Sequence, residues 1–213
     1  GPFGMNWPNY HSGNYPDWRI EGGWATGQGQ CWASLSNTPL RKYKIFVHEG
    51  GIASPLIAHW PQGITERNVF NRDSCHFIDI MSTVMELSGA TYPGEAENVA
   101  VSQPDGVSLV PTFTGQPLNR NAPIFYEYGS GAAIQDGAIK LVRAKEWELY
   151  DLSKDRAETV NLIEQYPELA RDLLKQWNAW YTECTGDDFA TVEAAKLAAR
   201  KAQKELNPNK KKK

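Results

Sequence analysis

The chain is most distinctive at Asn37-Thr-Pro-Leu-Arg-Lys-Tyr-Lys-Ile-Phe-Val-His-Glu-Gly-Gly51. Thr38-Pro39 predicts a helix start, because a hydroxyl can cap free backbone N–H groups and proline at the first helical position has no N–H to leave unpaired. A helix from this point would place Arg41, Lys44 and His48 on one face, at i, i+3 and i+7. Such a face predicts half of an anion-binding site. The alternative is a solvated basic stripe on a surface helix.

Two further signals lie at the end of this stretch and directly after it. Gly50 and Gly51 are expected to supply the left-handed backbone conformations that end a helix and to let the main chain approach a ligand closely. The run Pro55-Leu-Ile-Ala-His-Trp60 is short, apolar and bounded by Pro and Gly, which is typical of a buried strand. His59, inside that run, is predicted to be a hydrogen-bonded core residue rather than a ligand.

A helix is predicted between a cap at Ser74 and a stop at Gly89. Its apolar residues recur at helical spacing, and they are Phe77, Ile80, Met81, Val84 and Leu87. A buried strand followed by this helix is typical of the last units of an α/β sheet.

The second half of the chain changes to a strand pattern after a Pro/Gly/Asn-rich connection at 91–121. Four strands are predicted at residues 124–128, 132–135, 138–143 and 147–152, and Asp136-Gly137 is a strong hairpin signal between the second and the third. An amphipathic helix follows Tyr166-Pro167, and we expect it to cover one side of the antiparallel sheet. Its apolar face consists of Leu169, Leu173, Leu174, Trp177, Trp180 and Tyr181. Residues 188–206 predict a second, Ala/Lys-rich helix.

Composition narrows the function classes. Hydrophobic residues make up 41% and aromatic residues 11% of the 213 residues, which is enough for a globular core. A formal charge of −3 gives no reason to expect nucleic-acid binding, and no apolar run approaches the roughly 20 residues that cross a bilayer. Three widely spaced cysteines predict neither a disulfide framework nor a zinc site. No leader that reports a compartment is recognisable, and the lysine-rich tail is expected to be solvated.

Four blocks of the chain, in order and with matching gaps, resemble the C-terminal half of the sulfatase family, from about residue 22 to about residue 182. The first runs from Asn37 through Arg41, Lys44 and His48-Glu-Gly-Gly-Ile to Ile57. The others are His76-x-x-Asp-Ile-Met-x-Thr-Val-Met-Glu-Leu-x-Gly-Ala90, Asp105-Gly-Val-Ser-Leu109 and Leu149-Tyr-Asp-Leu-x-x-Asp-x-x-Glu-x-x-Asn-Leu162. The resemblance implies the C-terminal end of an alkaline-phosphatase-like α/β sheet domain plus a small antiparallel sheet subdomain with a packed helix.

What this resemblance implies for activity is hydrolysis of a sulfate ester by a formylglycine hydrate beside a calcium ion. Formylglycine is made from the first residue of a Cys/Ser-x-Pro-x-Arg motif, and none of Cys31, Cys75 and Cys184 begins such a motif. The family's acidic metal ligands are missing as well, so no metal ligand is assigned in this chain. We therefore interpret the sequence as a C-terminal portion of a sulfatase that needs the N-terminal part of the same enzyme as its partner.

The site residues carried over by the resemblance centre on Lys44. It matches the family lysine that contacts the sulfate group, and it would offset charge that develops on the transferred group and the leaving oxygen. His48 is assigned to pocket lining and substrate contact, with simple packing as the alternative. Glu49 is expected to orient Lys44 or to cap backbone amides, and Arg41 to pair with an acidic neighbour.

Other matched positions have structural interpretations. His76 and Asp79 are expected to form a hydrogen-bonded pair on their helix. Gln135 replaces an arginine that is common in the family, which leaves substrate contact from that hairpin open.

The sequence predicts three regions. Residues 1–121 are the end of the large α/β domain, with a long loop at 1–36 and the connection at 91–121; residues 122–185 are the antiparallel-sheet subdomain; and residues 186–213 are a helix and a basic tail. The substrate expected from the resemblance is a small-molecule or glycan sulfate ester. The resemblance also favours a periplasmic or secreted location for the protein. Two alternatives stay open: a phosphate- or phosphonate-ester hydrolase of the same superfamily, and a non-catalytic truncated binding module.

Overall fold

The computed structural model describes residues 29–96 and 98–206. By its internal contacts the chain divides into two units, one containing the described residues up to Ser54 and from Phe125 onward, the other spanning Pro55–Ile124. The segment that includes Lys44 therefore belongs to the same unit as the antiparallel sheet, whereas the sequence predicts it in one region with residues 55–121. The three predicted regions stay a prediction for the whole chain.

The secondary structure of the described residues alternates helices with short strands. The helices are α1 (Gly29–Ser36), α2 (Glu49–Ile52), α3 (Ile78–Ser88), a 3-10 helix (Val110–Thr114), α4 (Pro167–Thr185) and α5 (Phe189–Leu206). The strands are β1 (Glu95–Ala96), β2 (Val99–Ala100), β3 (Ile124–Tyr128), β4 (Gly131–Asp136), β5 (Ile139–Arg143) and β6 (Trp147–Asp151).

A four-stranded antiparallel sheet in the order β3-β4-β5-β6 organises the first unit. The four strands predicted after residue 123 and both C-terminal helices are confirmed. Asp136 pairs with Ile139 across the predicted turn, where Gly137 adopts a φ of 56°. This is the left-handed region that glycine enters without steric cost, which is the reason that Asp-Gly predicts a hairpin turn.

One face of the sheet packs on α4. Ile134 pairs with Leu141, which in turn pairs with Leu149, so three apolar side chains align across three strands. They form a buried cluster with Leu173 and Trp177, a tryptophan with no exposed surface. Burial of this apolar face supplies the main driving force for folding of the unit.

The opposite face of the sheet is also buried, but its residues are mixed in polarity. Lys140 pairs with Tyr150 and Val142 with Glu148, and these four alternate along the strands with the residues that face α4. Val47 packs against Val142 and Tyr150 in a second buried cluster. The segment of residues 41–49, which we call the Lys44 loop, thus packs against this face.

The helix predicted after Pro39 does not form, and that prediction is wrong. Lys42 and Ile45 have φ angles of 68° and 84°, which no right-handed helix contains, and regular helix begins only at Glu49 in the four-residue α2. Arg41, Lys44 and His48 consequently share no helical face.

The glycine pair has a different role from the predicted one. Gly50 and Gly51 lie within α2, and neither has a positive φ. A Cβ on Gly50 would collide with the carbonyl oxygens of Arg41 and Lys42, and one on Gly51 with that of Phe46. These glycines therefore let the main chain approach its own Lys44 loop, rather than end a helix.

In the second unit, the buried strand predicted at residues 55–60 is wrong. The segment carries no regular secondary structure, and Ile57 is 89% exposed. His59 is likewise exposed, not a core residue. A strand needs a neighbour to receive its backbone hydrogen bonds, and no described strand pairs with this segment.

Helix α3 is confirmed, and it ends at Gly89, whose φ is 67°. Its N-cap residue is Phe77 rather than the predicted Ser74. The helix buries its polar side, Asp79 and Thr83, while its predicted apolar residues are exposed. Phe77 alone is 83% exposed, so this helix has an apolar face without a partner among the described residues.

Residues 1–28 and the basic tail lie outside the described residues, so most of the predicted N-terminal loop is not described. Within its last part, residues 29–36 form α1 instead of a loop. A search of the described helices for a membrane-crossing segment finds none with sufficient length and apolar character.

Candidate functional site

Lys44 lies in a turn near the middle of the Lys44 loop, and its side chain is exposed. Positive φ angles at Lys42 and Ile45 flank it on both sides. Left-handed backbone at a β-branched isoleucine is strained, and such strain persists only where surrounding contacts enforce it. Contacts of the loop with the rest of the unit are concentrated at its two ends.

Glu148 on β6 binds both ends of the Lys44 loop. Its Oε2 accepts a hydrogen bond from Arg41 Nη1 at 2.8 Å, its Oε1 accepts one from Arg41 Nη2 at 3.2 Å, and its Oε2 also lies 3.2 Å from His48 Nε2. Tyr150 joins this group, since its hydroxyl oxygen accepts from Arg41 Nη1 at 2.7 Å. The expected pairing of Arg41 with an acidic neighbour is therefore present.

The charges of this group stabilise one another. Burial opposes ionisation of both partners, but the hydrogen bonds between them raise the pKa of Arg41 and lower that of Glu148. Burial and the neighbouring Glu148 charge raise the pKa of Tyr150 to about 12. At neutral pH the group therefore contains a guanidinium, a carboxylate and a neutral phenol.

His48 has no exposed surface. Burial lowers its pKa to about 4, and Arg41 and Lys140 act in the same direction, while the bond to Glu148 opposes them. The ring is therefore neutral at pH 7, and its Nε2–H donates to Glu148. His48 fits the packing role that the sequence left open, because a fully buried side chain offers no surface to a substrate.

A second charged group lies deeper in the same face. Lys140 on β5 is fully buried, and its Nζ lies 2.9 Å from Glu49 Oε1 and 2.9 Å from Glu158 Oε1. Arg156 approaches the other oxygen of Glu49 at 3.5 Å. The buried Lys140 ammonium thus lies between two buried carboxylates, and the mostly exposed Arg156 adds a second positive charge beside Glu49.

Glu158 connects both groups to the loop. Its Oε2 accepts from the backbone N–H of Glu49 at 3.0 Å, and its carbonyl oxygen accepts from Arg41 Nη1 at 3.3 Å. Burial raises the pKa of Glu158, and the Lys140 ammonium counteracts this effect. The expected role of Glu49 is corrected: its carboxylate binds Lys140 and Arg156, which anchors the loop end to the sheet.

The structure thus brings Arg41, His48 and Glu49 together at the base of the Lys44 loop, and it places Lys44 near the exposed tip. Sequence reasoning missed Lys140 and Glu148. Polar residues that alternate with apolar ones on a strand usually face solvent, so their burial beneath the loop left no signal in the pattern. Tyr150 and Glu158 were part of the matched blocks, but no role was assigned to them.

The other matched residues have structural roles. In the second unit the backbone N–H of His76 donates to Asp79 Oδ2 at 2.6 Å, and Asp79 also pairs with Arg120 and accepts from Val107 N–H at 3.0 Å. Asp79 therefore joins the start of α3 to the Asp105–Leu109 block, and the predicted pair exists through the backbone of His76.

In the hairpin, Gln135 is 7% exposed and donates to the carbonyl oxygen of Gly137 at 3.1 Å. Its amide thus stabilises the turn, and little of its surface is left for a ligand.

The described residues do not fit a calcium ion. A search of these residues for three or more His, Cys, Asp or Glu side chains in one place finds no such group. The carboxylates of the Lys44 loop's base are bound to arginine and lysine, which compete directly with a metal ion.

Comparisons with known proteins agree with this architecture. A family model described as N-sulphoglucosamine sulphohydrolase, C-terminal, matches residues 42–182, which is more than half of the chain. An uncharacterized sulfatase of Schizosaccharomyces pombe is 30% identical over 177 residues, which are 76% of this chain and 31% of the relative. The chain belongs to the sulfatase family. It corresponds to the family's C-terminal region, as the order of the sequence blocks predicted.

Two further similarities extend the comparison. Human N-acetylgalactosamine-6-sulfatase is 34% identical over 95 residues, covering 44% of this chain and 16% of the relative. The crystal structure of Ps i-CgsB aligns with a TM-score of 0.52 at 20% identity, covering 69% of this chain and 34% of that one. The latter confirms the mixed α/β fold class. This chain spans less than a third of the length of either curated relative.

Proposed function

We propose that this chain is the part of a sulfate-ester hydrolase that brings a substrate-contacting lysine, Lys44, to the active site. The observation that carries the proposal is the Lys44 loop itself: an exposed lysine lies between two strained residues, a half-buried ion pair holds one end of the loop, and a buried ion pair holds the other. Membership of the sulfatase family supports the reaction class.

The chemistry assigned to Lys44 is electrostatic. During transfer of a sulfuryl group, negative charge builds up on the group's oxygens and on the leaving oxygen. A lysine offers a compact positive charge with three donors, which stabilises this charge where water is excluded. His48 is proposed here as a positioning residue, because its buried ring binds Glu148 and not solvent.

The remaining parts of the reaction belong to residues beyond those described. By family resemblance we propose a formylglycine nucleophile and a calcium ion in the complete enzyme, and a sulfated glycan as substrate class. The last point is supported by the name of the human relative, an N-acetylgalactosamine-6-sulfatase. The family resemblance also favours a periplasmic or secreted location.

The test uses the complete gene product that contains this chain, produced with the formylglycine modification. We expect it to hydrolyse an aryl sulfate, and Lys44→Ala to lower kcat/KM by about 10²–10³-fold, the usual effect of losing one group that stabilises developing charge. Lys145→Ala is the matched control, because Lys145 is an exposed lysine in the turn between β5 and β6 of the same unit.

Three outcomes oppose the proposal. Faster turnover of an aryl phosphate than of the aryl sulfate would favour the phosphoester alternative. Equal rates for Lys44→Ala and Lys145→Ala would remove Lys44 from the site. No turnover of either ester by the modified protein would favour a non-catalytic module.

A further inference from the structure

The Lys44 loop is strained near its tip and fixed at its base. Residues in left-handed backbone relax unless their surroundings hold them, and Lys42 and Ile45 are both in that region. A contact inside the loop helps, since Lys42 Nζ lies 5.2 Å from the ring centroid of Phe46. The base is held by side chains from elsewhere in the unit.

Glu158, like Glu148, contacts both ends of the loop, and it uses its main chain for one end and its side chain for the other. Its backbone oxygen binds the Arg41 guanidinium at the start of the loop, and its carboxylate binds the Glu49 N–H at the end. Its own φ is 56°, so the conformation that allows this double contact is itself strained.

Lys140 makes the arrangement electrostatically possible. Glu158 has no exposed side-chain surface, and a buried carboxylate stays ionised only beside a compensating charge. The buried ammonium at 2.9 Å provides that charge, and it binds Glu49 at the same distance. Sheet, loop end and the segment after β6 thereby meet at one atom, Lys140 Nζ.

We propose that Glu158 is a positioning residue: its carboxylate, whose charge Lys140 compensates, holds the base of the Lys44 loop and so fixes where Lys44 meets its substrate. This inference rests on the proposed function for its catalytic consequence. The hold of Glu158 on the loop is itself a property of the fold, and it is measurable whether or not the protein is a sulfatase.

The catalytic arm is a double-mutant cycle in the complete, formylglycine-modified protein. Glu158→Gln keeps the volume and one acceptor oxygen but removes the charge. We expect it to lower kcat/KM by about 10- to 100-fold, since a misplacement of about 1 Å can cost about 10²-fold. In a Lys44→Ala background the same substitution is expected to cost less than about twofold, because it acts through Lys44.

A purely structural role predicts a different pattern. In that case Glu158→Gln would lower the amount of folded enzyme and leave kcat/KM per active site unchanged. Alternatively, its fold-loss in kcat/KM would be the same with and without Lys44→Ala. Either result overturns the proposal. Glu193→Gln is the matched control, because Glu193 forms ion pairs with Arg143 and Lys196 in the same unit, away from the loop.

Arg41→Lys provides a second variant in case Glu158→Gln does not fold. The Arg41 side chain is 34% exposed, so a lysine is tolerated there, but lysine cannot form the forked contact to Glu148 and Glu158. We expect Arg41→Lys to lower kcat/KM in the wild-type background and to have little effect in the Lys44→Ala background.

Hydrogen exchange of the backbone amides decides independently of activity. In Glu158→Gln we expect amides of residues 42–48 to exchange at least about tenfold faster, while the β4–β5 amides keep their rates. If the wild-type protein hydrolyses no sulfate ester, the proposed function falls, yet faster exchange confined to the loop still supports the hold of Glu158 on the loop. Unchanged exchange in the loop, or equal acceleration throughout the unit, overturns it.

Discussion

The two faces of the four-stranded sheet are both buried, but by opposite chemistry. Towards α4 the sheet presents Ile134, Leu141 and Leu149, which close on Trp177. Towards the Lys44 loop it presents Lys140 and Glu148, whose charges are matched by Glu49 and Arg41 of the loop. The apolar face stabilises the unit without directional demands, whereas the charged face fixes one geometry, because each ion must meet its partner or lose its compensation.

The largest expected effect comes from breaking the charged face. Lys140→Met removes the buried ammonium and leaves Glu49 and Glu158, 7% and 0% exposed, facing each other. We expect a loss of about 3–5 kcal/mol in the free energy of unfolding, measured by urea titration. Adding Glu158→Gln should recover part of this loss, since one buried charge is then gone. A double variant less stable than Lys140→Met contradicts the electrostatic account.

The apolar face should give a loss of similar size for a different reason. Trp177→Ala opens a cavity beneath the sheet and is expected to cost about 3–5 kcal/mol by the same urea titration. Leu169→Ala is the control on the same helix, because Leu169 is 39% exposed. If Leu169→Ala lowers the free energy of unfolding as much as Trp177→Ala, burial against the apolar face is not what stabilises the unit.

Much of the apolar face could be predicted from the sequence, and most of the charged face could not. Strand alternation, Asp136-Gly137 and the spacing of Leu173 and Trp177 are local signals that the tertiary structure does not override. The Lys44 loop was predicted as helix from Thr38-Pro39, a local signal that lost to the long-range bonds of Arg41 and Glu49. Lys44 is proposed as a site residue only through family resemblance, since nothing in its spacing separates it from a solvated lysine.

The same limit explains why predictions for the second unit were partly wrong. Leu56 and Ile57 lie in an apolar run that reads as a buried strand, yet they are 57% and 89% exposed. The α3 spacing predicted the helix correctly, but not which side it buries, because Asp79 and Thr83 receive their bonds from residues more than 20 positions away.

A pH titration tests the charged face through His48. Its folded pKa of about 4 is below the unfolded value near 6.5, so the unfolded chain binds the proton first as pH falls. The stability from the neutral ring is complete above about pH 6.5 and is lost towards pH 4, by about 3 kcal/mol in total.

His48→Gln isolates this contribution, because glutamine can still donate to Glu148 but does not titrate. We expect the stability difference between wild type and variant to shift by about 3 kcal/mol against the wild type from pH 7 to pH 4. A difference that stays constant over this range would contradict the buried, neutral histidine.

The smallest effect is expected at the β4–β5 turn. Gly137→Ala meets no atom within 4 Å, so its cost is only that of holding alanine at a φ of 56°, about 1 kcal/mol. Gly51→Ala should cost more, because its Cβ collides with the Phe46 carbonyl oxygen in the Lys44 loop. Equal melting temperatures for the two variants would show that the loop is not held tightly against α2.

The most direct test of the account is a crystal structure of the complete protein with inorganic sulfate or a sulfate ester bound. We expect Lys44 Nζ within about 3.2 Å of a sulfate oxygen, with Glu148 and Glu158 still holding Arg41 and Glu49 at the base of the loop. A sulfate bound in the active site with Lys44 turned away from it, or a loop released from both carboxylates, would contradict the account.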